Sequence, residues 1–273
     1  MPTERRVLVY QDRDQLTTSV AKRFLSRTRE LLESQETVHV VLTGGTVGTG
    51  TLAAVAASKD RDRVDWSRVH LWWGDERWVA RDDADRNELQ AREALLEALL
   101  ALPERGLVAE HVHGYPAPED GIDLDAAAVR YADELRRFAR PGEDHPRFDI
   151  TFLGVGPDGH VASLFPERAE VSITDTSVVP VRNSPKPPSE RLSLTRPAIN
   201  SSVRVWLVLA GTDKASALGL ALAGASRDEV PAAGVKGRTA TIFFVDAEAT
   251  AEVPENLTTT EIFWTSSDST DAH

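Results

Sequence analysis

One stretch of the sequence sets a proton-transfer group among glycines: Asp149 to Pro166, DITFLGVGPDGHVASLFP. The side chain delivered there is His160. Imidazole has the unperturbed pKa nearest neutrality, so a histidine held by glycines at the exit of an apolar run suits general acid–base chemistry. Asp158, two residues earlier, can fix the tautomer of that imidazole, and Gly154, Gly156 and Gly159 let the backbone turn tightly and approach a ligand. Ser163 lacks the GxSxG elbow of a serine nucleophile, and ASLF reads as an inward-packing helical turn, so this serine is expected to be structural. Gly154 to Gly159 also matches GxGxxG, the dinucleotide fingerprint, but the context rejects it. Phe165 and Pro166 interrupt a phosphate-binding helix, Asp158 repels a pyrophosphate, and the next candidate strand ends in Arg182 and Asn183 rather than a ribose-binding acid.

Positioning such a group requires elements that point at one place. Continuously apolar runs predict strands near Arg6 to Tyr10, Val38 to Thr43, Val69 to Trp73, Phe148 to Leu153, Val203 to Ala210 and Thr239 to Val245. Helical patterns fall between them, near Asp14 to Glu33, Val47 to Ser58, Asn87 to Leu100, Asp123 to Arg140 and Thr212 to Ala223. This alternation predicts an α/β fold with a mostly parallel sheet covered on both faces, whose ligands bind beyond the carboxyl ends of the strands. The residues following those strands are polar and glycine-rich. They include Gly44, Gly45 and Thr46, where backbone N–H groups at a helix start can receive an anion. Gly74, Asp75, Glu76 and Arg77 follow the third strand; Asp75 and Arg77 share one face, and Arg77 can fork onto a phosphate or carboxylate. Gly211, Thr212, Asp213 and Lys214 close the set. Val178 to Arg182 and Arg191 to Leu194 are candidate extra strands around the proline-rich SPKPPSE, Ser184 to Glu190, an exposed loop and candidate lid.

Composition narrows the ligand. The chain has 273 residues and no cysteine, which excludes disulfides and thiolate chemistry and fits a reducing compartment. Against 31 basic residues stand 43 acidic ones, a net charge of -12, so nucleic acid and anionic membranes are not expected partners, and an anionic ligand needs locally placed cations. No apolar run reaches membrane-spanning length and the first ten residues lack a signal-peptide shape, so a cytoplasmic location is expected. One domain over residues 1–265 is expected, with a solvated tail over 266–273. His111 and His113 alternate on a possible strand, but two imidazoles make an incomplete metal site and no metal is expected.

Taken in order, LTGGT (Leu42 to Thr46), WGDERWV (Trp73 to Val79) with Asn87 downstream, LGVGPDGHVASLFP (Leu153 to Pro166), RLSLT (Arg191 to Thr195) and GTDK ending at Lys214 resemble the 6-phosphogluconolactonase family, within the broader group that includes glucosamine-6-phosphate isomerase. The resemblance covers nearly the whole chain and implies a single-domain Rossmann-like fold. It implies hydrolysis of 6-phosphogluconolactone to 6-phosphogluconate, in the oxidative pentose phosphate pathway, without metal or organic cofactor. A δ-lactone needs an activated water, a donor to the carbonyl oxyanion and a proton for the departing ring oxygen; one neutral histidine supplies the first and third. His160 is therefore expected as the base and then the acid, oriented by Asp158, with N–H groups near Gly45 or Gly156 as oxyanion donors. The phosphate is expected on Arg77, Arg191 and Lys214, with Thr46 and the Gly44 and Gly45 amides, and Asp75 and Glu76 on the sugar hydroxyls or positioning the cations. The partner is then a small phosphorylated sugar lactone, and the protein a monomer or weak homo-oligomer. The related aldose–ketose isomerase and deaminase typically carries Asn-Glu-Pro where Leu164-Phe165-Pro166 stands, which favours the lactonase. A non-catalytic sugar-phosphate sensor is disfavoured, since the net charge opposes DNA contact. The chain departs from many lactonases at Gly234, within PAAGV, where an arginine is common.

Overall fold

A computed structural model describes residues 3–251 and 253–258; the expected tail from Ser266 lies outside them. Six strands form one wholly parallel sheet in the order β1-β9-β8-β5-β2-β3: β1 (Glu4–Tyr10), β2 (Val38–Leu42), β3 (Val69–Trp73), β5 (Ile150–Gly154), β8 (Arg204–Leu209) and β9 (Ala240–Asp246). Their continuous apolar runs follow from burial on both faces, since β3, β8 and β9 expose no residue.

Side chains alternate across the sheet. Phe152 meets Phe24 of helix α1 (Arg13–Ser34) edge-on at 5.3 Å, while Trp72, on the opposite face, lies edge-on to Tyr131 of α5 (Leu124–Arg137) at 6.3 Å. Helix α2 (Gly45–Ala57) packs on α1, so helices cover both sides. Asp12 and Asp123 cap α1 and α5 by accepting the N–H groups of Gln15 and Ala126. The segment expected as one helix from Asn87 to Leu100 is helical throughout. It passes from α3 (Asn87–Ala91) through a π turn (Arg92–Leu96) into α4 (Glu97–Leu100).

A second sheet of three strands stands beside the first. The two candidate extra strands form as β6 (Val178–Val181) and β7 (Arg191–Leu194), and β7 also pairs antiparallel with β4 (Asp75–Arg77), giving the order β4-β7-β6. The chain crosses between the sheets at Gly74. Its N–H donates to Leu42 O at 3.0 Å in the large sheet, and its carbonyl accepts Leu194 N–H at 2.8 Å in the small one.

Candidate active site

The strand exits do converge. Thr43, Gly44 and Gly45 after β2, Asp75 and Arg77 in β4, Gly154, Val155 and Gly156 at the end of β5, and Lys214 after β8 line one cleft of about 280 Å³, with Asn87, His160, Ala162, Lys186, Pro187 and Arg191. Clefts of about 710 and 370 Å³ lie elsewhere, but neither collects these exits. Position and chemistry outweigh size in choosing the site.

After Gly154 the loop closes on itself through isolated bridges between Val155 and Val161 and between Val161 and Leu164. Gly156 N–H donates to His160 O and Gly159 N–H to Gly156 O, both at 2.9 Å. ASLF is therefore a bridged turn, not the helical turn expected. Within it His160 Nδ1 meets Asp158 Oδ1 at 2.5 Å, so the carboxylate holds the proton on Nδ1 and leaves Nε2 with its lone pair. A Cβ at position 156 would stand 2.0 Å from His160 Nδ1 and 2.4 Å from Asp158 Oδ1, so glycine is what lets the pair form over the backbone. Phe165, itself buried, sets its ring 4.5 Å from the imidazole and walls it from below. Burial pushes the Asp158 carboxyl up, but the hydrogen bond from His160 and the charges of His160 and Lys186 outweigh it, leaving the group well below the usual carboxylate range.

The opposite wall is β4. Asp75 is buried and held from three sides: Ser163 Oγ donates to its Oδ2 at 2.7 Å, Arg191 Nη1 stands 4.0 Å away, and Asn87 Nδ2 donates to its carbonyl at 2.9 Å. Ser163 is thus structural, as expected, and its work is to aim Asp75. Asn87 presses so closely on Gly44 that a Cβ there would lie 1.8 Å from Asn87 Oδ1.

Glu76 corrects the expectation that it touches substrate or positions the phosphate cations. It points away from the cleft and is 1% exposed, accepting the N–H groups of Arg77, Asn87 and Glu88 at 2.9, 2.7 and 2.9 Å. Strand alternation is the reason, since its neighbours Asp75 and Arg77 take the cleft side. Burial pushes Glu76 up to about 7, against the pull of Arg86 and the three N–H donors. It is the anchor of α3, and through α3 of Asn87.

Arg191 also differs from expectation. Its guanidinium is buried and largely occupied: Nε donates to Pro188 O, and Nη2 to Lys186 O and Pro187 O, at 3.0–3.1 Å. It lines the cleft but mainly clasps the proline-rich loop, so Ser184 to Glu190 is tied down at its centre where a lid was considered. Thr46 is exposed at the start of α2 and does not line the cleft. Thr43 does, with Oγ1 accepting Gly154 N–H at 3.2 Å. Arg77 and Lys214 reach the cleft as expected; Arg77 donates to Asp85 O, and Lys214 Nζ pairs with Asp213 at 3.0 Å.

Sequence reasoning passed over Lys186, a half-exposed cation on the cleft rim whose Nζ lies 3.6 Å from Asp158 Oδ1. Its signal was a lone lysine in a proline-rich loop between two candidate strands. Gly234 lies outside the cleft lining, against Arg196 and Arg227.

His111 and His113 do not lie on a strand. They stack with His39 and His70 at the amino-terminal ends of β2 and β3, where His70 Nδ1 meets His113 Nε2 at 2.9 Å and His113 Nδ1 meets Glu134 at 3.0 Å. Among the described residues no group of three or more His, Cys, Asp or Glu is arranged to hold a metal ion.

Residues 11–244 match the family model of glucosamine-6-phosphate isomerases/6-phosphogluconolactonase. The chain is 44% identical over 256 residues to a 6-phosphogluconolactonase of Streptomyces coelicolor, covering 92% of this chain and 95% of that one. It is 44% identical over 250 residues to the 6-phosphogluconolactonase of Mycobacterium leprae, covering 91% and 98%. The crystal structure of a Thermotoga maritima 6-phosphogluconolactonase superimposes with a TM-score of 0.75 at 27% identity, covering 89% of this chain and all of that one.

Proposed function

This chain belongs to the glucosamine-6-phosphate isomerase/6-phosphogluconolactonase family, and from that premise we infer that it is a 6-phosphogluconolactonase, hydrolysing the lactone to 6-phosphogluconate in the pentose phosphate pathway. The observation that supports the catalytic reading most is the bond between His160 Nδ1 and Asp158 Oδ1 at the mouth of the cleft. With Nδ1 fixed, Nε2 takes a proton from a water attacking the lactone carbonyl. The tetrahedral oxyanion is met by the backbone N–H at Gly45, in the cleft lining; the Gly156 N–H, the other donor expected, is already given to His160 O. Collapse of the intermediate breaks the bond from the carbonyl carbon to the ring oxygen, and the His160 imidazolium returns its proton to that oxygen. Asp158 stays ionised throughout and stabilises the imidazolium.

Arg77, Lys214 and Lys186 are the cations proposed for the phosphate, with the Gly44 amide beside them. Arg191 contributes at most its Nη1, and Asp75 and Asn87 remain to read sugar hydroxyls. Bulk charge is negative, yet four of the cleft's five charged side chains other than His160 are cationic. The isomerase alternative is disfavoured because Phe165, standing where the isomerase typically carries glutamate, packs an apolar ring against His160.

The test is hydrolysis of lactone generated in situ from glucose 6-phosphate, corrected for spontaneous opening. His160→Ala is expected to lower kcat by about 10³-fold with KM little changed. Wild-type turnover in that variant would remove His160 from the mechanism, and ammonia release from glucosamine 6-phosphate would point to the deaminase instead.

A further inference from the structure

We propose that Lys186 is a positioning residue that makes His160 a stronger base when the phosphate of the substrate arrives, by leaving the Asp158 carboxylate for that phosphate. This rests on the lactonase reading above, and specifically on the phosphate being held in the cleft.

One carboxylate oxygen serves two cationic partners: Asp158 Oδ1 lies 2.5 Å from His160 Nδ1 and 3.6 Å from Lys186 Nζ. While Lys186 stays there, it neutralises part of the charge that stabilises an imidazolium and adds a positive charge near the ring. Both effects disfavour protonation of His160. The other charged groups facing this corner are Asp75 and Arg77 from β4, Arg191 from β7 and Lys214 beyond β8, while Phe165 packs on the ring without charge. Most are already engaged. Asp75 is held by Ser163 with Arg191 nearby, Arg77 by Asp85 O, Arg191 by three loop carbonyls and Lys214 by Asp213.

Lys186 differs in having room to move. Its side chain is 42% exposed, its ammonium makes only the Asp158 contact among the described residues, and its backbone is fixed because Arg191 clasps its carbonyl. A swing therefore involves the flexible side chain alone, while the loop stays in place. A phosphate dianion is the stronger claimant on an ammonium than a carboxylate already bonded to an imidazole. Once the ammonium transfers, Asp158 belongs wholly to His160, and the imidazole holds more tightly the proton that the attacking water must give up. Binding energy from a remote, unreacting group is then expressed at the reacting centre.

The test is an NMR titration of the His160 imidazole in wild type and Lys186→Gln, free and with saturating inorganic phosphate. The variant is expected to titrate higher than wild type in the free state by about half a pH unit, and to lose at least half of the phosphate-induced rise. An equal phosphate-induced rise in both proteins would overturn the coupling while leaving the phosphate site intact. No phosphate-induced change at His160 in wild type would overturn both the coupling and the reading of the cleft on which it rests.

Discussion

At the scale of single residues, the cleft is set by close approaches that leave no room for a side chain. Gly156 is the sharpest case, because the space its Cβ would fill holds the atoms of the His160–Asp158 bond. Gly156→Ala is expected to fold, to keep KM within a few-fold, and to lose roughly 10²-fold in kcat as the imidazole is pushed off Asp158. Steady-state kinetics beside a thermal melt check this; a kcat near wild type would show that the pair is not needed in this geometry. His160, Asp158 and Gly156 were legible because strand, glycines and imidazole are contiguous. Lys186 was not, since nothing local distinguishes a rim lysine from a solvated one until the fold brings Asp158 beside it. Glu76 differs for another reason: alternation already sets it on the face opposite Asp75 and Arg77, but its partners there, the amides of Asn87 and Glu88, lie eleven and twelve residues on and meet it only in the fold.

Elements explain why those amides matter. Glu76 binds the free N–H groups at the start of α3, and α3 carries Asn87 onto Asp75 and Gly44. Glu76→Ala strands buried donors and removes one of the two carboxylates facing Arg86, so a loss of about 2–3 kcal/mol in urea denaturation is expected, with a smaller loss for Glu76→Gln. An Ala variant as stable as wild type would deny Glu76 its anchoring role. Helices and core strands were readable from period and continuity. The pairing of β4 with β7 was not, because three residues are too few to show a period and their partners lie more than a hundred positions away. The same non-local pairing turns Arg191 inward to hold the loop after β6, where the family resemblance implies a phosphate ligand.

For the whole molecule, the stacked imidazoles at the other end of the sheet set the response to acid. Burial, then neighbouring imidazoles, lower His39 and His70 to about 3 and His113 to about 4, against an ordinary 6.5. The unfolded chain therefore binds more protons here, so the stabilisation is fully present above about 6.5 and drains away as pH falls towards 4 and 3. Glu76 runs the other way: its contribution is full below its ordinary 4.5 and fades as pH rises through about 7. Three imidazoles against one carboxyl predict a net fall in stability between neutrality and pH 5, measurable as a lower urea midpoint. Replacing His70 by phenylalanine should flatten that slope; an unchanged slope would place the acid sensitivity elsewhere.

Gly74 gives its N–H to one sheet and its carbonyl to the other, so the two walls of the cleft are stitched through a single peptide plane on either side of one residue. Both sheets thus hang on the backbone of one residue. In hydrogen–deuterium exchange the Gly74 and Leu194 amides should share one protection factor and one opening event. An anion gripped by Arg77 of β4 should then slow exchange in the large sheet as well, so that the Gly74 amide reports occupancy from the far side of the junction.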